Sequence, residues 1–279
     1  MKNSKGFTLV ELLVVISIIA LLLAVLIPSL SKARDVAKRI VCSQHEKTWL
    51  MANVMYSNMN NYSYVPVRYV DSRTGNRTPW LANAFYRNLM HINEYIKRGE
   101  DTDLRSGAIL LLDLPNVFLC PSDIISKDTK NRYFYDNANV LLSYGYNFTD
   151  WSTTNWDSWG GYPRDAGHNA GKIVSPSSKI AFADSVDWWF VWNGGDYRIG
   201  WNKLHQANIQ AYKALTPRVD GPVLYRHSEG VNFGFYDGHV KYMKKEYAFM
   251  AQDRDATPRK PGSWVANTTM YFSIDPRGK

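Results

Sequence analysis

Residues 12–27, LLVVISIIALLLAVLI, contain no charge and no proline, and the apolar stretch extends from Phe7 to Leu30 with one acid, Glu11, near its start. At about 1.5 Å per helical residue, this run predicts a helix long enough for a hydrocarbon core of about 30 Å. Beyond it, Ala33, Val36, Ala37, Ile40, Val41, Gln44, Thr48, Met51, Ala52, Met55 and Met59 recur at three-to-four spacing. Lys32, Arg34, Asp35, Lys38, Arg39, Glu46 and Lys47 fall on the other faces. The pattern predicts an amphipathic continuation of the same helix, its apolar stripe laid on a globular body. Pro28 removes one helix hydrogen bond and loosens the rod, and Asn58, Asn60 and Asn61 mark its end.

Past residue 60 the periodicity shortens. Thr78-Pro79 predicts a helix start, with WLANAFYRNLMHINEYIKR following and Gly99 as its stop. Residues 117–120, 140–148, 179–184, 231–236 and 239–243 read as short strands between Asn, Asp, Ser, Gly and Pro punctuation. Asp237-Gly238 predicts a two-residue hairpin turn, with the glycine supplying a positive φ. No internal repeat and no dividing linker is evident. The expected fold class is α+β: a long N-terminal α-helix, half membrane-spanning and half amphipathic, on a mainly antiparallel β-sheet with aromatic-rich loop insertions.

Composition narrows the function classes. With 45% hydrophobic residues, the 279-residue chain has enough apolar side chain for a core, which excludes wholesale disorder. A net charge of +8 is modest for this length and argues against nucleic acid as a partner. The two cysteines, Cys42 and Cys120, are open to one disulfide or to two separate buried thiols, and are too few for a Cys-only zinc site. Basic residues flank the apolar run on both sides, Lys2 and Lys5 before it and Lys32, Arg34, Lys38 and Arg39 after it, so charge alone does not orient it. A secretory signal cleaved after Ser29-Leu30-Ser31 is disfavoured by the length of the run and by Glu11.

The N-terminal segment MKNSKGFTLVELL resembles the processing site of type IV prepilins and type II secretion pseudopilins. That resemblance implies cleavage after Gly6 by a prepilin peptidase/methyltransferase on the cytoplasmic side, and methylation of the new Phe7 amine. Residues 1–6 are then a leader, 7–30 a transmembrane and assembly helix, 31–60 an amphipathic helix, and 61–279 an α+β periplasmic or extracellular domain. A carboxylate in an apolar segment is costly and usually has a partner. The resemblance gives Glu11 one, the Phe7 amine of a neighbouring subunit. It also implies a single pass through a bacterial inner membrane, assembly with other pilin or pseudopilin subunits, and a structural rather than catalytic role.

A second resemblance lies in RHSEGVNFGFYDGHVKYM, where His227 precedes Asp237-Gly238 by nine residues. This is similar to the prepilin-type group named for that His, nine-residue, Asp-Gly motif. Cys120-Pro121-Ser122-Asp123, Ser143-Tyr144-Gly145-Tyr146-Asn147, and Pro176-Ser177-Ser178-Lys179 leading to Ala183-Asp184 are further points of likeness.

Other chemistry is thinly signalled. Asp184, Asp187 and His227, with His239 and Asp237 near in sequence, are weak metal candidates. No cofactor is expected, although Ca2+ stays open; calcium takes six to eight oxygens and no dense acidic loop occurs. Asp237 has a ready structural role in its turn. Trp151, Trp156, Trp159, Trp188, Trp189 and Trp192 crowd among Asp and Asn residues, which suits either rigid loop packing or a surface that stacks on polysaccharide. No GxSxG, HExxH or phosphate-cradling loop is present, so a membrane-anchored enzyme is the least favoured reading.

Overall fold

The computed structural model describes residues 7–70, 77–91, 96–98, 109–111, 119–123, 132–134, 142–147, 169–173, 175–185, 189–190 and 223–245. Helix α1 runs over Leu9–Met59, 51 residues, or about 75 Å. It passes through Pro28 without a break, and Asn60 caps its C-terminal end. Positive φ at Asn61 and Tyr62 then turns the chain back. From Phe7 to Leu30 every large apolar side chain of the helix is exposed, and this segment is apolar enough to cross a membrane.

The lower half of α1 lies on a five-stranded sheet of order β10-β9-β7-β6-β8. Its strands are β6 (Tyr144–Asn147), β7 (Ile180–Asp184), β8 (Trp189–Phe190), β9 (Gly230–Phe235) and β10 (Val240–Lys244). The first four neighbours pair antiparallel and β8 joins β6 in parallel. Two smaller antiparallel sheets complete the described strands: β1 (Arg68–Val70) with β2 (Arg77–Pro79), and β3 (Ile96–Arg98), β4 (Ile109–Leu111) and β5 (Arg132–Phe134). The long helix on an antiparallel sheet is the α+β, pilin-like arrangement expected.

Much of the aromatic content fills the helix–sheet interface. Trp49 of α1 stacks on Tyr86 at 6.0 Å and meets Trp80 edge-on at 5.2 Å, while Tyr146 stacks on Phe182 at 4.7 Å. The helix comes this close because β9 offers a glycine under it: a Cβ on Gly234 would lie 2.6 Å from Leu50 Cδ1. Gly234→Val is therefore expected to lower stability by about 1–3 kcal/mol through overpacking. Urea unfolding of the full chain in detergent measures this; an unchanged midpoint would mean that α1 does not seat on β9 as described.

Several sequence expectations are corrected. The buried face of α1 is Cys42, Glu46, Trp49, Leu50, Ala52, Asn53 and Ser57, whereas Met51, Met55 and Met59 are 48, 47 and 68% exposed. Hydropathy missed this face because it includes the polar Glu46, Asn53 and Ser57. The Asn53 amide donates to Tyr146 Oη (3.1 Å), and its oxygen accepts from the Val65 N–H (3.0 Å). The long helix expected after Pro79 is a 3-10 turn, Trp80–Ala82, followed by a short α2 (Ala84–Leu89), and Ile96–Arg98 is a strand. Asn83 restarts the helix as its cap, accepting from the Phe85 and Tyr86 N–H groups, which lets Trp80 and Tyr86 both enter the aromatic core.

Leu119 and Cys120 are not a strand but lead into a turn closed by the Asp123 N–H on the Cys120 carbonyl, 2.9 Å; 117–118 lie outside the described residues. Among the described residues of 140–148, Tyr144–Asn147 forms a strand and Leu142 and Ser143 precede it; 140, 141 and 148 lie outside the described residues. The β9–β10 turn has three residues, Tyr236-Asp237-Gly238, rather than two, with Phe235 N–H donating to the His239 carbonyl and Gly238 at φ +91°. Tyr236 leaves the ladder because its N–H bonds Lys179 and its carbonyl accepts from Tyr64 Oη.

Candidate functional site

Among the described residues, two places hold most of the candidate residues. The first is the exposed tip of α1. Thr8 caps the helix, and its backbone N–H and hydroxyl both donate to Glu11 Oε2, at 2.9 and 2.8 Å. The Glu11 N–H donates back to Thr8 Oγ1 at 3.2 Å. This reciprocal box satisfies helix N–H groups that otherwise have no partner, and it sets a carboxylate at the positive end of the helix dipole. Phe7 beside it is 72% exposed. Gly6 lies outside the described residues.

The second place is a buried polar cluster where α1 crosses the sheet. Cys42, on the buried face of α1, is joined to Cys120 by a disulfide. Such a bond fastens the stem to the body across a sequence separation of 78, and removes conformations from the unfolded chain. His227 Nε2 lies 3.5 Å from Cys120 Sγ and 3.5 Å from Asp184 Oδ2. Asp184 ends β7, and its Oδ2 also accepts from the Asn232 N–H of β9 at 2.9 Å. The adjacent Arg226 pairs with Asp123 Oδ2 at 3.2 Å and donates to the Ser143 and Ser185 carbonyls, while Ser143 Oγ donates to Asp123 at 2.7 Å. The stretches CPSD, SYGYN, AFAD and RHSEG thus converge on one point.

Local backbone holds His227 in place. It closes a two-residue turn with Gly230 through a pair of backbone bonds, and Ser228 and Glu229 sit at φ 48° and 58°. Its carbonyl accepts from Tyr242 Oη at 2.9 Å. Arg39 of α1 packs over the Tyr242 ring, 4.2 Å to the centroid, a cation–π contact that ties stem to hairpin.

Glu46, absent from the sequence candidates, is fully buried beside this cluster. Burial first, and then the charge of Asp184, hold its carboxyl well above the usual carboxylate range; the Gly234 backbone and Arg226 offset this in part. Burial likewise pushes the Tyr144 hydroxyl well up. One signal in the chain does point to Glu46: it follows Cys42 by one helical turn, so a bonded Cys42 turns it inward. The Arg226–Asp123 pair carries no comparable local signal.

The other candidates lie elsewhere. Asp237 bonds His239 at 2.6 Å on the partly exposed hairpin turn, apart from the buried cluster. Asp187, Trp151, Trp156, Trp159, Trp188 and Trp192 lie outside the described residues, and Trp189 contributes backbone to β8.

Comparison with known proteins bears on the first place. Residues 1–27 match the family model for the prokaryotic N-terminal methylation motif. The chain is 49% identical over 61 residues to the type IV wide pilus major component PilA4 of Thermus thermophilus. That alignment covers 22% of this chain and 47% of PilA4, so the chain spans about half the length of this curated relative. No solved structure matches. With a methylation motif on a long, exposed apolar helix and that helix seated on an antiparallel sheet, the chain is similar to type IV prepilins.

Proposed function

We propose that the chain is a structural subunit of a type IV pilus-like or type II secretion filament, cleaved after Gly6 and N-methylated at Phe7. The observation that carries this reading is the N-terminal methylation motif leading into an apolar helix that nothing in the described chain covers. Residues 7–30 then anchor the subunit in a bacterial inner membrane, with residues 61–279 on the periplasmic side, and pack against other subunits after assembly. Packing of apolar helices supplies the cohesion, and Glu11 supplies the register. In the free chain Thr8 holds its carboxylate. The Phe7 ammonium of a neighbour offers a bond in which both partners are charged, whereas the Thr8 donors are neutral. The burial of His227 and Asp184, 2 and 0% exposed, supports a structural rather than a catalytic role for the buried cluster.

Intact-mass and N-terminal analysis of protein recovered from cells with an active prepilin peptidase is the direct test. The expected product starts at Phe7 and carries one added methyl group. Recovery of material starting at Met1, or after Ser31, overturns the proposal. Glu11→Leu is expected to be processed and folded normally while filaments disappear. Filaments of normal yield from that variant would remove Glu11 from assembly.

A further inference from the structure

The side chains around the Cys42–Cys120 bond have a geometry that the disulfide alone does not use. One ligand atom each from Cys42, Cys120, Asp184 and His227 lies within 4.8 Å of the other three, and all four residues are buried. Zinc bound at about 2.3 Å to sulfur and about 2.0–2.1 Å to nitrogen or oxygen requires ligand–ligand edges of about 3.3–3.8 Å in a tetrahedron. The His227 Nε2 to Cys120 Sγ and His227 Nε2 to Asp184 Oδ2 distances, both 3.5 Å, already fall in that range. Asp184 Oδ1 and His227 Nδ1 have no hydrogen-bond partner among the described residues, an unusual state for groups this deep. The Asn232 N–H bond to Asp184 Oδ2 and the Tyr242 Oη bond to the His227 carbonyl hold the two donors in position.

We propose that, with Cys42 and Cys120 reduced, these thiols together with His227 and Asp184 form a tetrahedral Zn2+ site, and that disulfide formation replaces the ion. Two thiolates, an imidazole and a carboxylate match the soft and borderline donors that zinc prefers, and not the oxygen cage of calcium. Binding to the dithiol releases two protons as both sulfurs become thiolates. Oxidation by a disulfide of the thiol-oxidoreductase class then forms the Cys42–Cys120 bond. Two electrons pass from the protein sulfurs to the oxidant, which takes up two protons and leaves as a dithiol, and Zn2+ departs. The ion thus fastens stem to body in the chain before it is oxidised, at the place where the disulfide fastens it afterwards. This inference is independent of the filament reading.

The test uses the full chain in detergent, reduced anaerobically with a water-soluble phosphine, which is itself converted to the phosphine oxide. Co2+ is added as the probe. The reduced protein is expected to take up one Co2+, with thiolate-to-cobalt charge transfer and tetrahedral d–d bands that Zn2+ abolishes. The oxidised protein should show neither. Asp184→Asn and His227→Gln are each expected to weaken Co2+ binding at least about tenfold, since even outer-shell partners are worth 10–100-fold. X-ray absorption of the zinc-loaded reduced wild type needs no variant; two sulfur and two nitrogen or oxygen neighbours are expected. Absence of charge transfer, unchanged affinity in both folded variants, or a shell other than two sulfurs with two lighter atoms overturns the site.

Discussion

Asp123→Ala is expected to cost about 3–5 kcal/mol of folding stability, the range for breaking one side of a buried ion pair. Asp123 and Arg226 are 1 and 5% exposed at their side chains, with Nη1 and Oδ2 3.2 Å apart. The guanidinium cannot shed its charge, and the Ser143 and Ser185 carbonyls that it also reaches are neutral acceptors. Removing the carboxylate strands a cation in the body and takes the acceptor from Ser143 Oγ. Arg226→Met alone is expected to be similarly harmful, because it takes the guanidinium from a buried carboxylate. Combining the two should recover part of the loss, since a matched apolar pair in place of a buried ion pair is often nearly neutral. Urea unfolding of the oxidised full chain in detergent gives the cycle. Two single variants each within about 1 kcal/mol of wild type would show that the pair is solvated and that the cluster is not a core.

What could be read from the chain depended on how locally each feature is encoded. The span from Phe7 to Leu30 and the motif before it are contiguous, and β7, β9 and β10 lie within a residue of the runs that suggested them. The buried face of α1 was not readable from hydropathy, because its methionines face outward while Asn53 turns in to meet Tyr146, 93 residues away. Nor was the length of α2, where Asn83 caps a new helix after the 3-10 turn. Cys42, Cys120, Asp184 and His227 were each visible as candidates, but their meeting depends on tertiary pairing between β7, β9 and α1. Asp123 was visible only as part of a motif, and its partner Arg226 as the residue beside the motif histidine. The three-residue hairpin turned on where Tyr236 is drawn, which the Asp-Gly dipeptide does not encode.

Glu46→Gln is expected to stabilise the protein increasingly as pH rises. In the folded chain burial, reinforced by Asp184, raises the Glu46 carboxyl well above its ordinary value, and neither oxygen has a hydrogen bond of ordinary geometry among the described residues. In the unfolded chain the same group ionises near pH 4.3, as a free glutamate does. Below about that pH both states hold the proton, and Glu46 contributes no slope. Above it the unfolded chain loses a proton that the folded chain keeps, so unfolding becomes easier by up to about 1.4 kcal/mol per pH unit. That loss continues until the pH reaches the raised folded value and then levels off. Glutamine has nearly the same volume and no charge to suppress, so the variant lacks this slope. His45 acts in the opposite direction: burial lowers its pKa, although the Leu119 backbone resists, so its stabilising share is lost as pH falls below about 6.5. It is present in both chains and cancels in their difference. Unfolding free energies of wild type and variant, measured between about pH 4 and pH 8, should therefore diverge steadily with the variant above. A difference that stays flat across that interval would mean that Glu46 is ionised in the fold, and that the stem helix meets the sheet through water rather than through a closed core.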